Sequence, residues 1–97
     1  MRIREFQTLM KELYYEKDKA RGETKTLAWL KGEVKELTDA VMKNDEKAVG
    51  EEVADVVAWA LSVANLKGVD VEKALLEKYP NLCGYCGKNP CVCEEGK

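Results

Sequence analysis

The stretch Glu51-Glu52-Val53-Ala54-Asp55-Val56-Val57-Ala58-Trp59-Ala60-Leu61-Ser62-Val63-Ala64-Asn65-Leu66 decides the fold class. From Val53 to Leu66 only Asp55, Ser62 and Asn65 are polar, and at about 100° per residue the apolar side chains reach every side of a helix. Upstream, Asn44-Asp45 reads as a turn and an N-cap, and downstream Gly68 reads as a stop, which predicts a helix over about 46–67. A helix that is apolar on all sides must be buried on all sides. Three neighbouring helices from one 97-residue chain are few to cover it, burial within the chain being the plainer alternative. Part of its surface is therefore expected to meet other copies of the chain, as a homodimer or a dimer of dimers.

Helices are also predicted on both sides of this stretch. Ile3, Phe6, Leu9 or Met10, Leu13 and Tyr14 recur at helical spacing over about 2–20, and Gly22 breaks the run. A second helix is expected from an N-cap near Thr24 to about Lys43, with Leu27, Leu30, Val34, Leu37 and Val41 as its packing seam. Asp70 caps a short fourth helix over about 71–79, which Pro80 ends. Strand-like alternation is missing, so the class is all-α: a bundle of about four helices per chain, completed by oligomerisation. Residues 1–80 form the helical domain and residues 81–97 a separate cysteine-rich tail, too poor in large apolar residues to build a core.

Composition narrows the chemistry. Sixteen Lys and Arg against 18 Asp and Glu leave a formal net charge of −2, which predicts no nucleic-acid partner, since such binding needs a basic surface to displace counterions. Histidine is absent and Ser62 is the only serine, so Ser–His triads and His-based zinc or acid–base sites are excluded. Apolar runs fall short of the roughly 18–20 residues that span a bilayer, and the start Met1-Arg2-Ile3-Arg4-Glu5 lacks a following apolar stretch of signal type. The expectation is a cytoplasmic protein with no membrane partner. Carboxylates acting through a metal remain the plausible reagents.

Those carboxylates are patterned. Trp29, Glu33, Glu36 and Ala40 fall on one stripe of the second helix, flanking its apolar seam, and Glu52, Asp55 and Trp59 fall on a similar stripe of the third. Residues three apart project together, so each helix offers a two-carboxylate jaw. Asp55 lies inside the apolar run, where an unpaired charge would cost several kcal/mol, and the third helix carries no nearby Lys or Arg to offset it. A divalent cation between facing pairs supplies the missing charge. Oxygen ligands without His or Cys suit Mg²⁺ or Mn²⁺. A solvated acidic face is the plainer alternative for Glu33 and Glu36 taken alone.

Glu33-Val34-Lys35-Glu36 followed by Glu52-Val53-Ala54-Asp55 resembles the E-x-x-E…E-x-x-D signature of the MazG-like all-α nucleoside triphosphate pyrophosphohydrolases. Trp29-Leu30, Leu37, Ala40, and Gly68-Val69-Asp70-Val71-Glu72-Lys73-Ala74-Leu75 leading to Lys78-Tyr79 extend the likeness over about residues 24–79. The resemblance implies that Glu33, Glu36, Glu52 and Asp55 hold Mg²⁺ on a nucleoside triphosphate substrate. The α–β anhydride would then be cleaved to a nucleoside monophosphate and pyrophosphate. It also places Asn65 and Lys78 near the nucleotide. Trp29 and Trp59 are candidates to stack on a base, with core packing as the alternative. One departure stands out: Gly32 occupies the position where the family commonly carries an additional acid, whereas Glu51-Glu52 keeps the doubled acid in the second half.

The tail holds Cys83, Cys86, Cys91 and Cys93 within Cys-x-x-Cys-x4-Cys-x-Cys, and its Cys-Gly-Tyr-Cys-Gly-Lys portion resembles a zinc knuckle. Four thiolates select a structural Zn²⁺, with two disulfides or free thiols as the alternatives. The functional expectation is thus a Mg²⁺-dependent nucleotide pyrophosphohydrolase. Its rival is a non-catalytic helical oligomerisation module whose zinc-knuckle tail binds partners.

Overall fold

A computed structural model describes residues 1–95; the last two residues of the expected 81–97 tail lie outside the described residues. The chain forms four helices, α1 (Ile3–Arg21), α2 (Glu23–Met42), α3 (Glu46–Lys67) and α4 (Val71–Lys78), with no strand among the described residues. None of the helices is long and apolar enough to cross a membrane.

Local chemistry sets the ends. Glu5 reaches back to accept the backbone N–H of Arg2 at 3.0 Å, closing the first turn of α1. Asp45 accepts the Ala48 N–H at 3.1 Å and Asp70 the Lys73 N–H at 3.1 Å, so α3 and α4 begin on aspartate caps. Gly68, at φ 67°, ends α3 in the left-handed conformation that lets Val69 N–H return to the Ala64 carbonyl. The start of α2 differs from the sequence expectation. Its cap is Gly22, at φ 90° and ψ 165°, and Thr24 lies inside the helix. The Thr26 hydroxyl donates to the Gly22 carbonyl at 2.8 Å, so the threonine that serves this end sits one turn in. Because Gly22 also terminates α1, a single residue joins two long helices.

The short 43–45 connection makes α2 and α3 antiparallel neighbours, and theirs is the most extensive contact in the chain. α1 packs on α3 and only lightly on α2, which leaves a cleft above α3 between them. α4 leans on α1. There, Arg4 bridges Asp70 at 3.0 Å and Glu72 at 3.1 Å.

The packing face of α2 is rotated relative to the expected seam. Thr26, Glu33 and Ala40 are its buried residues, while Leu27, Val34 and Val41 remain 43%, 46% and 51% exposed. Thr26 and Ala40 are small, so they let the two backbones approach where larger side chains would hold them apart. Only Leu30 and Leu37, both half-buried, belong to the expected and the observed face alike. On α3 the chain buries Leu61, Ser62 and Asn65 but leaves Val53 and Val57 well exposed. The radius of gyration is 15.3 Å, against about 13 Å for a compact domain of this size. The helices thus form an open layer with uncovered apolar faces.

Gln7 is the main polar tie of this layer. Its side-chain amide donates to Asn65 Oδ1 at 3.0 Å and to the Val69 carbonyl at 2.7 Å, and its Oε1 accepts the Val71 N–H at 3.0 Å. Asn65 answers by donating to the Gln7 carbonyl at 3.2 Å. One buried side chain therefore holds α1, the end of α3 and the start of α4 together. Gln7→Ala strands all these partners and is expected to cost about 1–3 kcal/mol. Urea unfolding checks this: the midpoint falls with the slope unchanged, and an unmoved midpoint would show that the tie is dispensable.

Candidate metal centre and adjoining cavity

The rotation of α2 turns Glu33 inward to 8% exposure, against α3. Glu36, one turn on, stays exposed, and Glu52 on α3 is half-buried. One carboxylate oxygen from each of Glu33, Glu36 and Glu52 lies within 4.8 Å of the others. Oε2 of Glu33 and Oε2 of Glu52 are both buried with no hydrogen-bond partner. Lysines and arginines do not relieve them: among the described residues no ion pair involves Glu33, Glu36, Glu52 or Asp55.

The electrostatic result is that Glu33 and Glu52 resist ionisation. Burial, helped by the hydrogen bond and charge of Glu36 and by the charges of Asp55 and Glu52, pushes the Glu33 carboxyl up to about 7 from 4.5. Glu52 is raised too, by burial first and then by Glu36 and Asp55. Native chains do not ordinarily strand buried polar oxygens without a compensating partner. Two orphaned oxygens aimed into one cluster fit a divalent cation bound by hard oxygen donors, Mg²⁺ or Mn²⁺.

Asp55 is placed differently from the sequence expectation. It is exposed in the chain rather than sunk among apolar residues, because its face of α3 looks into the cleft that α1 and α2 leave open. The most deeply buried carboxylate of α2 and α3 is instead Glu33. Asp55 is near enough to Glu33 and Glu52 for its charge to raise both, so it borders the cluster from the cleft side.

That side is a cavity of about 270 Å³ lined by Met10, Tyr14, Lys17, Asp18 and Arg21 of α1 and by Asp55, Ala58, Trp59 and Ser62 of α3. Asp18 is 2% exposed and holds Arg21 at 2.7 Å through Oδ1, while its buried Oδ2 has no partner. The Arg21 guanidinium lies 4.8 Å from the centre of the Trp59 ring. Trp59 in turn stacks on Trp29, with centroids 5.4 Å apart and planes 5° from parallel. The two tryptophans are thus partners of each other. Sequence reasoning missed Lys17, Asp18 and Arg21. Asp18 and Arg21, three apart near a helix end, look like any surface ion pair until α1 is seen to cross α3.

The other expected contacts lie apart from this cavity's lining. Asn65 spends its amide on Gln7, as described above. Lys78 is exposed on α4, with its ammonium 5.6 Å from the Tyr79 ring and 5.0 Å from the Tyr85 ring. Tyr85 first, and Tyr79 with it, hold the Lys78 ammonium above its usual range. Gly32, where an extra acid was expected from the resemblance, has open space around it: an added Cβ would meet nothing within 4 Å. In the tail, one sulfur from each of Cys83, Cys86, Cys91 and Cys93 lies within 4.8 Å of the rest, a second and chemically distinct cluster.

Set against family models, residues 21–86 match the MazG nucleotide pyrophosphohydrolase domain, more than half of the chain. The matched segment contains the three clustered glutamates and Asp55 and begins at the last residue of α1, so Lys17 and Asp18 lie before it. No match is found among curated proteins.

The raised Glu33 carboxyl has a consequence for stability. Unfolded, Glu33 loses its proton near 4.5; folded, it keeps it to about 7. Between these values the folded state binds more protons, so without divalent cations stability falls as pH rises through the window and levels off above it. Mg²⁺ or Mn²⁺ competes with those protons, so it is expected to raise the melting temperature more at pH 8 than at pH 5. Thermal melts in EDTA and in Mg²⁺ across this range check both slopes, and an equal effect of Mg²⁺ at both ends would exclude Glu33 as a ligand.

Proposed function

The chain belongs to the MazG nucleotide pyrophosphohydrolase domain family, and from that premise we propose that it is a Mg²⁺-dependent nucleoside triphosphate pyrophosphohydrolase. It cleaves the α–β anhydride to give a nucleoside monophosphate and pyrophosphate. The observation that carries the reading is the convergence of Glu33, Glu36 and Glu52, with buried, unpartnered oxygens on Glu33 and Glu52 and no ion pair to any of the three among the described residues. Three converging carboxylates would also repel a triphosphate unless a cation stands between them.

Glu33, Glu36 and Glu52 would hold the ion, with Asp55 closing the set from the cleft. Mg²⁺ when bound lowers the pKa of coordinated water and neutralises charge gathering on the leaving pyrophosphate. The rest falls to protein side chains. Packing against α3 fixes Glu33, so its carboxylate is preorganised, while exposed Glu36 faces incoming phosphate. Lys17 and Arg21 line the adjoining cavity and complement negative charge there. Trp59, engaged by Trp29 and Arg21, is a rigid wall against which a nucleoside is positioned. One of the acids takes the proton of the attacking water. The uncovered apolar edge of α2 and the exposed Val53 and Val57 of α3 are closed by a second copy of the chain, as a dimer or a dimer of dimers.

Pyrophosphate release from a panel of canonical and modified triphosphates in Mg²⁺ tests the activity. Glu36→Gln and Asp55→Asn are each expected to lower turnover by more than about a hundredfold, beyond what losing a hydrogen-bond partner of a metal ligand costs. Their light-scattering mass stays that of the wild type. No release from any triphosphate, with no thermal shift in Mg²⁺ or Mn²⁺, favours the helical-module alternative. For the assembly, Val34→Glu is expected to reduce the light-scattering mass, and a monomeric wild-type protein would refute it.

A further inference from the structure

Residues 81–93 form no helix or strand, and their large apolar side chains stay in solvent: Leu82, Tyr85 and Val92 are 44%, 59% and 67% exposed. Burial therefore cannot hold this segment in one conformation, and segments of this kind keep a fixed shape through a cross-link or a metal. Yet its internal bonding is specific. Cys83 N–H donates to the Lys88 carbonyl at 2.9 Å and Gly87 N–H to the Cys83 carbonyl at 3.0 Å, with Gly87 at φ 70°, a conformation suited to glycine.

The sulfurs are the focus of that bonding. Cys83 Sγ lies 3.9 Å from Cys93 Sγ, and Cys86 Sγ lies 4.0 Å from Cys91 Sγ. Four sulfurs at about 2.3 Å from a tetrahedral zinc stand about 3.8 Å from each other. A disulfide would bring a pair to about 2 Å, and all four cysteines are free. Backbone amides point at three of the sulfurs: Tyr85 N–H at Cys83 (3.4 Å), Val92 N–H at Cys86 (3.5 Å) and Cys93 N–H at Cys91 (3.3 Å). Donors so placed stabilise negative sulfur, which is what a cation-bound thiolate needs.

We propose that Cys83, Cys86, Cys91 and Cys93 bind one zinc ion as a closed four-thiolate structural site, and that the loaded tail docks on the last turn of α4. Soft thiolates select zinc where the carboxylates between α2 and α3 select a hard cation, so the two sites do not compete for one metal. The docking contact is Gly84. A Cβ there would stand 2.8 Å from the Lys78 carbonyl oxygen and 3.2 Å from both Lys78 Cγ and Tyr79 Cε1, so only glycine lets the tail lie this close. The contact also sets the Tyr85 ring beside the Lys78 ammonium. Asn89 ties the far side by donating to the Asn81 carbonyl at 2.9 Å.

The test uses the full chain, purified under reducing conditions and dialysed against metal-free, chelator-free buffer. Elemental analysis is expected to find about one zinc per chain. Cobalt exchanged for zinc should give the visible absorption of a tetrahedral thiolate site. Cys83→Ser and Cys91→Ser should each lower zinc to background while circular dichroism keeps the helical signal. Glu33→Gln should retain full zinc, which separates this site from the carboxylate cluster and its activity. Gly84→Ala should retain zinc but lose amide-exchange protection at 78–88. Four freely titrating thiols without zinc, a mass showing two disulfides, or zinc retained by either serine variant would overturn the metal site. Unchanged protection in Gly84→Ala would overturn the docking.

Discussion

The fold turns on a repulsion. Between α2 and α3 three glutamates bring their oxygens within 4.8 Å of each other with no lysine or arginine to separate them. Nothing in helix packing favours this: the same face of α2 filled with leucines would pack more tightly and cost no desolvation. Small side chains at Thr26 and Ala40 bracket Glu33 and let the backbones close around it, so the most intimate helix pair of the molecule is built around its least comfortable residues. Two of these acids hold their protons above the usual carboxylate range, which relieves the repulsion where no counter-charge stands.

Much of this was legible in the sequence, and the parts that were not share a cause. Helix ends are short-range chemistry, which is why Asp45, Gly68 and Asp70 could be read as caps and a stop directly. Carboxylate spacing is likewise local, and it placed Glu33, Glu36 and Glu52 together. The rotation of α2 is set by its partner, and hydrophobicity alone misjudged it: Leu27, Val34 and Val41 point away from α3, and Glu33 points toward it. The setting of Asp55 went the same way, since an apolar run does not reveal that the neighbouring helices diverge above it. Thr24 reads as a cap because side-chain oxygens are the usual signal, whereas the structure gives that role to Gly22, with no side-chain cap. Asp18 and Arg21 became visible only through the crossing of α1 over α3.

Two donor chemistries share one short chain without mixing. Oxygen donors sit on long helices whose positions are fixed by packing, and sulfur donors sit in a segment that has no packing of its own. In the first the scaffold holds the ligands; in the second the ligands hold the scaffold. Lys78 and Tyr79, at the end of α4, touch the sulfur-bearing segment at Gly84, a contact that tolerates no side chain.

Gly22 carries a consequence for the cleft. With φ 90° and ψ 165°, it occupies torsion space closed to every residue with a β-carbon. α1 walls the cavity opposite α3, and no loop intervenes between α1 and α2 to absorb a change in direction. The setting of Lys17, Asp18 and Arg21 over Asp55 and Trp59 is accordingly written into two torsion angles of one achiral residue.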